Sequence, residues 1–336
     1  MSNTIRAVNW NKPTSDYVLT FWEQNLKQFW IDTEFVPSKD VKVWNKLSEA
    51  EKEAYKKALA GLTMLDTEQG GEGMPLILLH VNDLQKKAVL SFMSAMEEIH
   101  AKSYSTIFTT LAEQSEIDEL FDWVEENKYL QYKGKRISEY YRKLFSPNAS
   151  RKDVYMAMVA SVFLESFLFY SGFFYPLYLA GQGKMVASGE IINLIIRDEA
   201  IHGLYVGLLA QEIYRNELTD EERAKVDAEV HQLLDDLMTN EDLYSEEIYA
   251  DIQMDSEVKR FLRFNANNAL MNLGRETYYD VEEVNPIVLN GLSTQTKTFD
   301  FFSNKGNGYQ KGKVAPITDA TFAFVNKKLS EVEDDI

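Results

Sequence analysis

The stretches Glu97-Glu-Ile-His100 and Glu199-Ala-Ile-His202 each place a carboxylate three residues before an imidazole. Residues three apart share one face of an α-helix, so each stretch directs both side chains at one place. The chain has four histidines and no cysteine, so this repeated pattern holds half of its histidines. Each stretch is suited to supply half of a metal site.

Two further acidic residues, Asp66 and Glu165, lie on predicted helices that precede the two patterns. We expect the Gly181-Gln-Gly183 turn to fold the Glu165 helix back on the helix that follows, and a break at residues 70–75 to do the same for Asp66. Four helices with four carboxylates and two histidines match the dinuclear site of ferritin-like bundles. The candidate ligands are Asp66, Glu97, His100, Glu165, Glu199 and His202.

Oxygen-rich ligation with one imidazole per metal suits iron or manganese, whereas structural zinc prefers Cys and His. A single Glu-x-x-His is usually an ordinary pair on a helix surface. Two copies of the motif, together with Glu165 in an apolar segment, favour a metal site. Buried acidic and histidine side chains without a metal would carry a large desolvation cost.

Composition predicts an all-α protein. The chain has 336 residues, of which 45% are hydrophobic, with seven Pro and 16 Gly. Length alone would suggest two domains, but a single large bundle fits equally well. Apolar periodicity predicts long helices over residues 84–111 and 189–214, and Ser48 and Thr219 begin capping-box patterns.

The net charge of −18 disfavours nucleic-acid binding through a basic surface. The absence of cysteine rules out thiolate catalysis and fits a reducing compartment. The N-terminal residues lack the apolar segment of a secretory signal, so we expect a cytoplasmic protein.

One segment, Met156 to Ala180, is apolar and long enough to cross a bilayer. It carries Glu165 near its middle, and a charge at a bilayer centre costs about 2.5 kcal/mol or more. We therefore expect the buried centre of a bundle and no membrane span.

Tyr104 lies one turn beyond His100 and two turns beyond Glu97, on the same helix face. A phenol at that position is placed for oxidation by a metal centre. As one of 18 tyrosines, it would look the same as a plain core residue.

The sequence closely resembles the radical-generating small subunit of class I ribonucleotide reductases, most like class Ib. The resemblance covers nearly the whole chain. Its densest stretches are residues 60–69 (AGLTMLDTEQ), 96–104 (MEEIHAKSY), 164–172 (LESFLFYSG) and 196–203 (IRDEAIHG).

The resemblance implies that the six candidate ligands bind a dinuclear manganese or dinuclear iron centre and that Tyr104 carries the stable radical. Trp30 and Asp198 match a relay that carries the radical outward, and Tyr309 matches the tail tyrosine that passes it on. The implied partners are the large catalytic subunit, a second copy in a homodimer and a flavodoxin-like activator protein.

By the same resemblance, residues 1–286 form the bundle and residues 287–336 form a flexible C-terminal tail that docks on the large subunit. The sequence after Phe324 departs from many class Ib tails, which leaves the docking residues open. Two other functions share the ligands: a ferritin-like storage protein and a dimetal oxidase or oxygenase. Neither needs Trp30, Asp198 or a tail with Tyr309.

Overall fold

The computed structural model describes residues 4–280 and 282–293. Within them the chain is all-α, and short 3-10 and π segments link its helices. The helices are α1 Val18–Lys27, α2 Val41–Trp44, α3 Glu49–Glu68, α4 Met74–Leu79, α5 Leu84–Leu111, α6 Gln114–Glu126, α7 Lys128–Arg142, α8 Arg151–Phe163, α9 Tyr170–Gly181, α10 Val186–Asn216, α11 Asp220–Tyr249, α12 Asp255–Asn272 and α13 Pro286–Ser293.

The predicted capping boxes are confirmed. Ser48 Oγ accepts the backbone N–H of Glu51 at the start of α3, and the Glu51 carboxylate accepts the backbone N–H of Ser48 in return. Thr219 and Glu222 form the same pair at the start of α11. These reciprocal bonds satisfy N–H groups that would otherwise lack partners, and so fix where both helices begin.

The expected break at residues 70–75 is wrong. After Glu68 the chain passes through a π-helical segment, Gln69–Gly73, directly into α4. A π turn accommodates one extra residue without ending the helix, and Pro75 lies in the first turn of α4, where proline is tolerated. The reversal comes later, at residues 80–83, where Asp83 caps α5.

The apolar segment that contains Glu165 forms α8, a π-helical segment Leu164–Leu168, and α9. Within the described residues, Arg151–Gly181 is the one stretch long and apolar enough to cross a membrane, and 94% of its most apolar window is buried inside the structure. It packs against α10, which returns antiparallel after the turn at Gly183, a residue with a φ of 72°. This burial is typical of the central helix of a bundle.

The helical body extends beyond residue 286, because α13 packs along α9 and Asn290 donates a hydrogen bond to the Gly181 carbonyl. The remainder of the expected tail, which includes Tyr309, lies outside the described residues.

Gly70 allows the π segment to approach α5 closely. A Cβ at Gly70 would lie 2.8 Å from Glu97 Cβ, whereas a Cβ at Gly71 would meet nothing within 4 Å. We predict that Gly70→Ala lowers the free energy of unfolding by about 1–3 kcal/mol, because it forces the two segments apart. Gly71→Ala is the matched control and should be neutral or slightly stabilising. Urea unfolding of the metal-free proteins measures both; equal effects would contradict the close contact.

Candidate metal centre

The structure brings all six candidate ligands together in the core. Asp66 comes from α3, Glu97 and His100 from α5, Glu165 from the π segment after α8, and Glu199 and His202 from α10. Each is fully buried, with 0% of its surface exposed. Four separate helical segments therefore converge on one site, as the two-pattern interpretation predicts.

The ligand atoms form two overlapping groups, each with its atoms within 4.8 Å of one another. We call Asp66, Glu97, His100 and Glu199 group 1, and Glu97, Glu165, Glu199 and His202 group 2. Glu97 and Glu199 belong to both groups. Two shared carboxylates between two histidines are suited to hold a pair of neighbouring metal ions, as in the carboxylate sites of ferritin-like bundles.

Both imidazoles point Nδ1 at this cluster. His100 Nδ1 lies 2.8 Å from Glu199 Oε1, and His202 Nδ1 lies 2.6 Å from Glu97 Oε1. Each histidine thus approaches the carboxylate of the other helix more closely than that of its own, at 3.4 Å in both cases. The histidine of each motif therefore lies closest to the glutamate of the other motif.

Burial and converging negative charge dominate the electrostatics. Burial, with the neighbouring charges of Glu97 and Glu199, raises the pKa of Asp66 and of Glu165 well above the ordinary value. Burial disfavours the imidazolium, but the surrounding carboxylates outweigh it and raise the pKa of His100 and His202. Without a cation, these directions favour the protonated forms of Asp66, Glu165 and the two imidazoles.

The donor set fits two divalent cations. Both oxygens of Asp66, Glu97 and Glu199, one oxygen of Glu165 and the Nδ1 atoms of both histidines are buried without a well-aligned hydrogen bond, although each Nδ1 lies within 2.8 Å of a carboxylate oxygen. Buried polar atoms are normally paired, and metal coordination satisfies them. Two divalent cations would also balance the four carboxylates. Hard oxygen donors with one imidazole each suit manganese or iron.

Asp198 connects the cluster to Trp30. Its Oδ2 accepts the Trp30 indole N–H at 2.7 Å and lies 3.1 Å from His100 Nε2. The Trp30 and His100 rings stack with centroids 5.9 Å apart. Helix α1 ends at Lys27, which leaves Trp30 on non-helical backbone beyond the helix end.

Sequence reasoning missed several residues in contact with these groups. Gln28 Nε2 donates to Asp198 Oδ1 at 2.6 Å, and the Arg197 guanidinium donates to the Gln28 backbone carbonyl. Gln69, one turn after Asp66, donates to Glu165. The sequence could have indicated Gln69, because it follows the candidate ligand Asp66 by three residues and therefore lies on the same helix face. No local pattern around Gln28 indicates its partner Asp198, which lies 170 residues away.

Tyr104 is fully buried on α5, and its hydroxyl has no hydrogen bond within the described residues. Burial, with the charge of Asp66, raises the pKa of this phenol well above its ordinary value. Tyr104 therefore stays protonated at neutral pH, so its oxidation must release a proton as well as an electron. Tyr309 lies outside the described residues.

A family model described as "Ribonucleotide reductase, small chain" matches residues 7–286. The chain belongs to the ribonucleotide reductase small-chain family. It is 53% identical to the ribonucleoside-diphosphate reductase subunit beta of Bacillus subtilis, over 98% of this chain and 99% of the relative. The subunit beta of reductase 2 from Escherichia coli is 39% identical over 95% and 98% of the two chains.

Among solved structures, the dimanganese(II)-NrdF of Streptococcus sanguinis superposes with a TM-score of 0.81 at 43% identity, covering 86% of this chain and all of the other. The R2 subunit of a Clostridium botulinum ribonucleotide reductase superposes with a TM-score of 0.77 at 26% identity. These small-chain structures confirm the ferritin-like bundle predicted from the motifs.

Proposed function

We propose that this chain, as a ribonucleoside-diphosphate reductase small subunit, holds two metal ions in groups 1 and 2 and generates its radical on Tyr104. The observation that carries the proposal is the fully buried convergence of six candidate ligands, with Tyr104 buried on the helix that supplies Glu97 and His100. The likeness to a dimanganese NrdF supports manganese, and the same donors accept iron.

The six candidate ligands have different roles in the proposed centre. Asp66 and His100 would complete group 1, Glu165 and His202 would complete group 2, and Glu97 and Glu199 would bridge them. When bound and activated by an oxygen species, two metal ions at these residues would supply the oxidising power for the loss of one electron from Tyr104. Because Tyr104 is fully buried, its phenolic proton would have to be accepted within the buried site and not by bulk solvent.

Asp198 and Trp30 then provide the outward route. The carboxylate bridges His100 and the Trp30 indole, so electron transfer through Trp30 can be coupled to movement of its N–H proton toward Oδ2. We propose that Tyr309 takes over beyond Trp30 and passes the oxidising equivalent to the large subunit. With no cysteine, this chain needs that subunit for the reduction of ribonucleotides to deoxyribonucleotides.

The assembly we propose is a cytoplasmic homodimer that docks on the large subunit through residues after Ser293. We place the boundary between the bundle and the tail at the end of α13 and not at residue 286, because α13 packs against α9. A flavodoxin-like protein that supplies superoxide is the proposed activator for the manganese form. A dimetal oxidase would share the six ligands but would have no use for the Trp30–Asp198 hydrogen bond.

Activation should produce a tyrosyl radical on Tyr104. We predict a tyrosyl electron paramagnetic resonance signal after loading with iron and O2, or with manganese and superoxide, and its loss in Tyr104→Phe with metal content unchanged. Tyr205→Phe, a buried tyrosine on α10, is the control and should keep the signal. Metal uptake without a radical under both treatments would favour the oxidase.

Tyr309 should matter only when the large subunit is present. We predict that Tyr309→Phe keeps the Tyr104 radical but lowers nucleoside-diphosphate reduction at least about 100-fold, since a phenylalanine cannot be oxidised in its place. Tyr132→Phe, on an exposed part of α7, serves as the control. Full reductase activity in Tyr309→Phe would show that the radical leaves by another residue.

A further inference from the structure

A buried chain of hydrogen bonds runs from Tyr141 to the candidate ligand Glu165. The Tyr141 hydroxyl donates to Gln69 Oε1 at 2.5 Å, and Gln69 Nε2 donates to Glu165 Oε1 at 2.5 Å and to Ser161 Oγ at 2.8 Å. Tyr141, Gln69 and Glu165 are all fully buried. Neither Tyr141 nor Gln69 belongs to groups 1 and 2.

The direction of these bonds is set by chemistry. An amide has one accepting end and one donating end, and a carboxylate in the ionised form that binds a metal only accepts. Because the Tyr141 hydroxyl donates to Oε1 of Gln69, the NH2 end of the amide faces Glu165. The reverse orientation would place the amide oxygen against a carboxylate oxygen, with no proton between them.

The backbone is shaped to admit this contact. Gln69 opens the π segment Gln69–Gly73, and Gly73 closes it. A Cβ at Gly73 would lie 2.5 Å from Gln69 Oε1 and 2.6 Å from Tyr141 Cε2. Any larger residue at position 73 would displace both partners, so the glycine leaves the room in which the tyrosine meets the amide.

Glu165 differs from the other three carboxylates of the cluster in one respect. Both oxygens of Asp66, Glu97 and Glu199 lack hydrogen bonds, whereas Glu165 has one free oxygen, Oε2, because Gln69 holds Oε1. Oε2 faces the cluster, 3.6 Å from His202 Nδ1. The hydrogen bond therefore selects which Glu165 oxygen is offered to a cation in group 2.

We propose that Tyr141 and Gln69 are positioning residues, which fix Glu165 so that it presents Oε2 alone to the metal ion of group 2. The inference rests on the proposed dinuclear centre and deepens it. Tyr141 acts through the Gln69 amide, since its own hydroxyl bonds to Gln69. Group 1 does not include Glu165, so the pair can act on it only indirectly, through the shared residues Glu97 and Glu199.

The test is a titration of the metal-free full-length protein with Mn(II), with free Mn(II) followed by its electron paramagnetic resonance signal. The variants are Gln69→Met, which keeps the volume but removes the donor, Tyr141→Phe, and the double variant. Tyr140→Phe, the neighbouring buried tyrosine on α7, is the matched control. Thermal unfolding of each metal-free protein is measured in parallel.

We expect Gln69→Met to weaken one of two Mn(II) equivalents about 10–100-fold, as lost hydrogen bonds to metal ligands do, and to weaken the other much less. Tyr141→Phe should weaken the same equivalent less, and the double variant should match Gln69→Met, because the tyrosine acts through the amide. Tyr140→Phe should bind as the wild type does.

Unchanged affinities in Tyr141→Phe and Gln69→Met would overturn the inference. Equal weakening of both equivalents, together with a lower unfolding temperature of the metal-free protein, would also overturn it, since that result marks a packing role. If the wild-type protein does not bind two Mn(II) ions, the proposed dinuclear centre itself is wrong. If the wild-type protein binds two ions and the variants bind them equally well, only the positioning role of Tyr141 and Gln69 is wrong.

Discussion

The constraint on which the rest of this structure depends is the burial of four carboxylates and two imidazoles at one point. Each of the six residues is fully excluded from solvent, and most of their polar atoms make no hydrogen bond. In the absence of cations such a cluster opposes folding, because desolvated like charges repel. The four helical segments that carry it must therefore be held in place by the surrounding apolar core, of which the buried stretch Arg151–Gly181 is the central part.

Hydrogen bonds around the cluster give its members different roles. Asp198 links His100 to Trp30 on the side that leads outward, and Gln69 restrains Glu165 on the other. The described residues include two π-helical segments, Gln69–Gly73 and Leu164–Leu168. The first contains Gln69 and the second contains its hydrogen-bond partner Glu165. Local departures from α-helical geometry thus occur where side chains have to be aimed, as is common for π turns at functional sites.

Much of this could be predicted from sequence because two i, i+3 motifs carry their own geometry. Residues three apart on a helix must share a face, so the motifs predicted both the helices and the convergence of their ligands. The continuation of the helix through Gln69–Gly73 into α4 could not be predicted in the same way. Glycine and proline commonly end helices, and no characteristic amino-acid composition marks a π turn. The partners Gln28 and Tyr141 were missed because their contacts span 170 and 72 residues and depend on packing.

The central claim is that the six residues hold two metal ions side by side. Anomalous diffraction at the manganese edge, from crystals of the protein loaded with Mn(II), tests it most directly. The account predicts two peaks in each chain: one among Asp66, Glu97, His100 and Glu199, and one among Glu97, Glu165, Glu199 and His202. A single peak, or two peaks elsewhere with the cluster empty, would contradict it.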